Sequence, residues 1–165
     1  MTPTLYPIET PAAGRLVIMP APIRDQFPGL AAAGVALVVS LLPAEEAERL
    51  ALTDEALRCR RAGMDFLNVP VPDFSVPADF EASAALVAAL ADQIAGGDTV
   101  AVHCRAGIGR SGMVTSAILC ALGAAPEEAM AAVSAARGCA VPETDAQRDW
   151  VRRFAAFAAA RVAGG

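Results

Sequence analysis

The sequence predicts an α/β fold. It has three layers, with a central, mostly parallel sheet of four to five strands flanked by helices. Short apolar runs alternate with helical patterns along the whole chain, the arrangement that builds a parallel sheet. Residues 35–42 are apolar except for Ser40 and rich in β-branched side chains, as a strand buried on both faces must be. Glycine or proline punctuates most of the predicted elements, and no internal repeat or long linker interrupts them. The length of 165 residues suits one domain, taken as residues 1–165.

Each element follows from local signals. Residues 1–14 form an extended lead-in. Residues 16–19 are a short strand closed by Pro20 and Pro22. Residues 25–33 read as a short helix stopped by Gly34, and the buried strand 35–42 runs up to Pro43. Two helical pieces follow, 43–50 and 53–62, the second with Thr53 as N-cap and Gly63 as stop. Residues 64–69 are the next strand, and a proline-rich loop, 70–77, comes after it. Phe80, Leu86, Val87, Leu90 and Ile94 make a helical stripe within 78–95, ended by Gly96 and Gly97. Residues 99–102 form a strand that runs into His103 and Cys104. Helices are predicted over 111–122 and over 126–137, the latter with Pro126 in its first turn and Gly138 past its end. The last helix starts near Thr144 and turns Trp150, Val151, Phe154 and Phe157 inward.

Composition excludes several functions. The chain is 55% hydrophobic, carries a formal net charge of −5, and contains no lysine. Schiff-base chemistry and a Gly-Lys nucleotide loop are therefore absent. A single histidine, His103, cannot build a His-rich metal centre. Scattered arginines on an acidic chain do not make a nucleic-acid face. Cys59, Cys104, Cys120 and Cys139 are widely spaced with no C-x-x-C pair, which argues against a zinc site or a redox dithiol. No basic start followed by an apolar run marks a signal peptide, and the longest apolar stretch, 31–42, is too short to span a bilayer. These features suggest a cytoplasmic protein with reduced thiols.

The chemistry concentrates in residues 103–111, His-Cys-Arg-Ala-Gly-Ile-Gly-Arg-Ser, between a buried strand and a helix. Gly107 and Gly109 are expected to turn the backbone with positive φ. Successive N–H groups then point into one concavity, joined by the helix N-terminus, and form a nest for a phosphate or sulfate. The planar fork of Arg110 is placed to grip two phosphate oxygens. Cys104 lies in the same positive field, which favours its thiolate, and Ser111 is placed to donate to the sulfur. Nucleophile, cradle and clamp in one loop are what covalent phosphoryl transfer requires. The leaving group needs a proton, and Asp73, in the stiff loop at a strand's carboxyl end, is the candidate donor, with Asp79 second. Arg105 is read as a rim residue that draws anionic substrates, with Arg137 and Arg148 as further candidates. Residues 144–147 also read as a capping box for the last helix.

His103-Cys104-x5-Arg110-Ser111, preceded by Pro70-x-x-Asp73 and followed by Arg137-Gly138 and Thr144-x-x-Gln147, resembles the cysteine-dependent protein tyrosine phosphatase superfamily. The likeness is to its dual-specificity-like branch, near the kinase-associated phosphatase group and its bacterial relatives, and spans most of the chain. The resemblance implies a hydrolase that needs no metal and no cofactor. It would cleave phosphotyrosine and phosphoserine/threonine monoesters through a cysteinyl-phosphate. Cys104 becomes the nucleophile, Arg110 the clamp and Asp73 the general acid and then base. Ser111 assists the sulfur, and Arg105, Ala106, Gly107, Ile108 and Gly109 cradle the phosphate. His103 orients the loop without acting as a base, and Gln147 positions water. Where relatives often carry Gln before the tail Thr, this chain has Glu143. The implied partner is a phosphorylated protein or peptide, with no nucleic acid and no membrane span, and the chain itself is taken as a monomer. A catalytically silent phosphate-reading module is one alternative, but such a module would have lost the cysteine or the arginine. A phosphoinositide phosphatase is another, though those relatives usually carry lysines in the loop, where this chain has Arg105, Ala106 and Ile108. Arsenate reductases of the small-phosphatase type place the acid after the cysteine, the reverse of the order here. Cys59, Cys120 and Cys139 are read as core or surface thiols, one of which could protect Cys104 as a disulfide under oxidation.

Overall fold

The computed structural model describes residues 1–164. Five strands, β1 (Tyr6–Ile8), β2 (Arg15–Met19), β3 (Leu37–Ser40), β4 (Asp65–Asn68) and β5 (Thr99–His103), form one sheet in the order β1-β2-β5-β3-β4. β1 pairs antiparallel with β2, and every other pairing is parallel. The central strand β5 aligns Val102 with Ile18 on one side and with Val39 on the other.

Alternation along the strands divides the core in two. Leu16, Ile18, Leu37, Val39, Val100 and Val102 face α4 (Phe80–Ala95), α5 (Arg110–Ala121), α6 (Pro126–Arg137) and α7 (Asp145–Gly164). Val17, Met19, Val38 and Ala101 face α1 (Phe27–Ala32), α2 (Ala44–Arg49) and α3 (Glu55–Arg61). The same alternation sends His103 and Cys104 to opposite layers, which matters for the site.

The expected layers and helices are present, with four local differences. The lead-in contains β1, which pairs along the edge of β2 and packs Ile8 into the core. The strand read over 35–42 pairs only over Leu37–Ser40, because its neighbours are equally short; Leu41 and Leu42 stay buried beyond the ladder. Helix α3 begins after Asp54, not after Thr53. The Asp54 carboxylate caps no N–H and instead holds Arg58 at 2.8 and 2.6 Å. A 3-10 turn, Arg24–Gln26, opens the segment read as one helix before α1. Gly34, Gly63 and Gly138 terminate their elements with positive φ as expected.

One packing contact reaches the site from a distance. Trp150 stacks on Phe154 with ring centroids 4.9 Å apart, and Phe80 closes over both. The Trp150 indole N–H donates to the Pro77 carbonyl at 3.1 Å, so α7 anchors the far end of the proline-rich loop. Among the described residues, no helix is long and apolar enough to cross a membrane.

Candidate active site

The carboxyl ends of the parallel strands open onto one crevice, as open α/β sheets require. At its floor lies Cys104, 3% exposed, immediately after β5. Its Sγ is 3.2 Å from the Ser111 hydroxyl in the first turn of α5. That helix has Gly109 at its N-cap and no side-chain cap, so its free N–H groups and the positive end of its dipole face the loop. Asp73, Phe74, Cys104, Arg105, Ala106, Gly109, Arg110 and Glu143 line the resulting cup, a cavity of about 230 Å³. A wider groove of about 490 Å³ adjoins it, shares Asp73 and Arg105, and is walled by Glu46 and Arg49.

Arg110 is 1% exposed and heavily engaged. Its two terminal nitrogens meet both oxygens of Glu46 at 2.8 Å each, a bidentate pair, and one also donates to the Val71 carbonyl at 2.9 Å. Burial alone would lower the guanidinium's affinity for its proton. The hydrogen bonds to Glu46 and the charges of Cys104, Glu46 and Asp73 outweigh that effect and hold its pKa above the ordinary value. The Arg110 hydrogen bonds hold the Glu46 carboxyl below its ordinary value, against the opposing effect of burial. Arg110 Nε is buried with no partner, a donor that an incoming anion can satisfy.

Asp73 reaches the same guanidinium, with Oδ1 3.2 Å from Arg110 Nη2, and its side chain is 44% exposed. Its Oδ1 also accepts from the Phe74 N–H at 3.0 Å. Phe74 has φ +57, a conformation a bulky residue rarely adopts, and its ring stands exposed at the cup's rim. Asp79, the second aspartate considered, accepts from the Ala82 N–H at 3.1 Å and caps α4 instead.

The loop's outer side explains its shape. The carbonyls of residues 104–107 are each held from outside the cup: Cys104 by His103 Nδ1 at 2.9 Å, Arg105 by the Ala21 N–H at 3.0 Å, and Ala106 and Gly107 by Arg137 at 3.1 and 2.9 Å. In a planar trans peptide the N–H points opposite to its carbonyl. Pinning these four carbonyls outward therefore turns the N–H groups of residues 105–108 toward the cup.

Two expectations are corrected here. Gly107 has positive φ, +70, but Gly109 does not, at φ −75. Gly109 instead sits where space is tight: a Cβ there would lie 3.0 and 3.1 Å from the Gln147 amide and 3.1 Å from Glu143, so those side chains would have to shift. Gly107 is needed for both reasons, since its Cβ would lie 2.5 Å from the Met19 backbone. Arg137 is not a free rim cation. Its guanidinium braces the loop and lies 4.3 Å over the Tyr6 ring. Arg148 likewise holds the Pro142 carbonyl at 2.8 Å, while Arg105 remains exposed at the rim.

Gln147 makes the expected capping box, its Oε1 accepting from the Thr144 N–H and its own N–H donating to Thr144 Oγ1. Its Nε2 is buried without a partner beside Gly109. All four cysteines are free thiols. Burial, with the Glu55 charge, pushes Cys59 up to about 12, and burial pushes Cys120 up to about 11, so both are poor nucleophiles. Cys59 packs in the layer opposite Cys104.

Sequence reasoning missed Glu46, Glu55 and the bracing role of Arg137. Glu46 and Glu55 each stand in the first turn of a helix, where an acidic residue is the ordinary complement of the dipole. Nothing in the local pattern separates such a solvated acid from one that reaches into a site.

A mostly parallel five-stranded sheet with a cysteine and an arginine around an anion-sized loop defines the class: a phosphatase of the protein-tyrosine and dual-specificity type. A family model described as "Tc-R-P: Polymorphic toxin system, DSP-PTPase phosphatase" matches residues 13–124, and the chain belongs to that family. Among solved structures it is similar to the kinase-associated phosphatase with its catalytic-site cysteine replaced by serine. The TM-score is 0.87 at 17% identity, covering 97% of this chain and 98% of that one. It is also similar to Tk-PTP in its active form (TM-score 0.78, 27% identity, 94% and 99% covered). PTPMT1 in complex with PI(5)P shares the fold (TM-score 0.73, 22% identity, 89% and 94% covered). No curated protein matches the chain by sequence.

Proposed function

We propose that this phosphatase hydrolyses phosphotyrosine and phosphoserine/threonine monoesters in proteins through a cysteinyl-phosphate on Cys104. The observation that carries the reading is the convergence on one small cup of the Cys104 sulfur, the unpartnered Arg110 Nε and the Asp73 carboxylate. Cys104 Sγ attacks phosphorus, the bond to the ester oxygen breaks, and Asp73 gives its proton to that oxygen. Water then attacks phosphorus and gives a proton to Asp73, and the P–S electron pair returns to Cys104. Arg110 and the inward N–H groups of Arg105, Ala106, Gly107, Ile108 and Gly109 stabilise the charge on the phosphoryl oxygens. Ser111 donates to the departing sulfur, His103 orients the loop, and Gln147, whose Nε2 is buried without a partner, positions the water. The mostly open mouth, with Phe74 at its edge, suits both aryl and alkyl phosphates. We place this activity in the reducing cytoplasm, in a monomer whose chain acts as one catalytic unit.

Turnover of p-nitrophenyl phosphate without added metal, blocked by vanadate, is the expected activity. Cys104→Ser removes turnover and keeps phosphate-ester binding; residual turnover at the wild-type rate would reassign the nucleophile. Asp73→Asn lowers kcat by about 10²-fold or more for alkyl phosphates and only slightly for p-nitrophenyl phosphate. An equal loss across leaving groups would remove Asp73 from the acid role. A panel of phosphopeptides and phosphoinositides separates the protein substrate from a lipid one.

A further inference from the structure

We propose that Glu55 is a positioning residue for the phosphate loop, acting on Cys104 through His103. The inference rests on Cys104 being the nucleophile. Because the strand alternates, the His103 ring points into the α2–α3 layer, away from the cup. There it is fully buried, and its Nε2 lies 2.7 Å from Glu55 Oε1. Glu55 is itself only 2% exposed, an unusual setting for a carboxylate unless its partner matters.

The proton count follows from the partners. The Cys104 carbonyl can only accept, so His103 Nδ1 carries a hydrogen and donates to it. With Nδ1 protonated, a neutral ring leaves Nε2 bare, and two lone pairs would face each other at 2.7 Å. One proton must therefore lie between Nε2 and Glu55 Oε1, on whichever of the two atoms it resides. The ring is thus held at both ends. It fixes the Cys104 carbonyl outward, and the N–H of Arg105, in the same peptide, inward to the cup. Glu55 has no other part in the chemistry: it touches neither the cup nor Arg110. Glu55 instead borders a separate cavity of about 240 Å³, lined also by Ser40, Phe66 and Asn68.

The lone histidine makes the test direct. In wild type, the ring of ¹⁵N-labelled His103 should show a proton on Nδ1 and a second, strongly downfield proton shared with Glu55. A ring with hydrogen on Nε2 alone, and bare Nδ1, would overturn the proposal whether or not the enzyme is active. Glu55→Ala is expected to lower kcat by roughly tenfold to a hundredfold, the worth of one charge-assisted hydrogen bond, with KM changed less than threefold. Glu55→Gln, whose amide can still donate to Nε2, should lose the shared downfield proton yet recover most of the kcat. Equal kcat loss in both variants, or kcat within twofold of wild type in both, would refute the positioning role. The Cys104→Ser result fails separately, since it reports the nucleophile and not the ring.

Discussion

On its concave side the loop presents Cys104, the Ser111 hydroxyl and the start of α5, all supplied by consecutive residues of one strand–loop–helix passage. On its convex side the same loop is gripped by Ala21 from the β2 exit, His103 backed by Glu55 from α3, and Arg137 from α6 backed by Tyr6 from β1. The front is local in sequence and carries the groups proposed to react. The back is assembled from both layers and carries none of them. On the proposed mechanism the two sides divide the work: one carries the chemistry, and the other fixes the direction of the amides that face it.

That division can be broken from either side. Among changes that keep Cys104, Arg110→Lys is expected to have the largest effect, since an ammonium cannot replace the fork that grips Glu46 and is proposed to bind phosphate. A kcat loss of about 10²–10³-fold with p-nitrophenyl phosphate is expected, measured by steady-state kinetics. If lysine serves within a fewfold, the fork is not the clamp. Arg137→Ala should follow, because two carbonyls lose their donor and their peptides are free to rotate. Here kcat and thermal stability should fall together, by about tenfold and about 1–3 kcal/mol, a pairing that calorimetry beside kinetics detects. A variant that loses stability at full kcat would show that the back does not orient the front.

Glu46→Gln is the mildest and sharpens the boundary, since Glu46 grips a front residue from behind. The folded carboxyl is held below its ordinary value by the Arg110 hydrogen bonds. A group of this kind contributes stability that is present above its ordinary range and lost as pH falls through its lowered value. The variant should therefore be less stable than wild type at neutral pH, by about 1 kcal/mol, with the gap closing in acid. A gap that persists unchanged in acid would mean the pair contributes through packing and not through charge.

Much of this was legible in the chain. Periodicity and punctuation located the helices 126–137 and 78–95 and the strand leading to Cys104, because burial and caps leave local marks. The Cys104-to-Ser111 segment was legible for the same reason: its residues are neighbours in sequence as well as in space. β1 was not, since three residues at a sheet edge bury too little to leave a pattern. The conformation of Gly109 was misread because sequence cannot tell a glycine chosen for φ from one chosen for space. Glu46 and Glu55 lie 64 and 48 positions from their partners, and pairings over such distances are made by the fold alone.

The anchoring of Pro77 by Trp150 has a practical consequence. Trp150 is the chain's sole tryptophan, and its indole hydrogen bond ends the segment that carries Asp73. Any movement of that segment on ligand entry changes the indole's surroundings. Vanadate or phosphate titrations followed by tryptophan emission alone therefore test whether the Asp73 loop moves, with no label introduced.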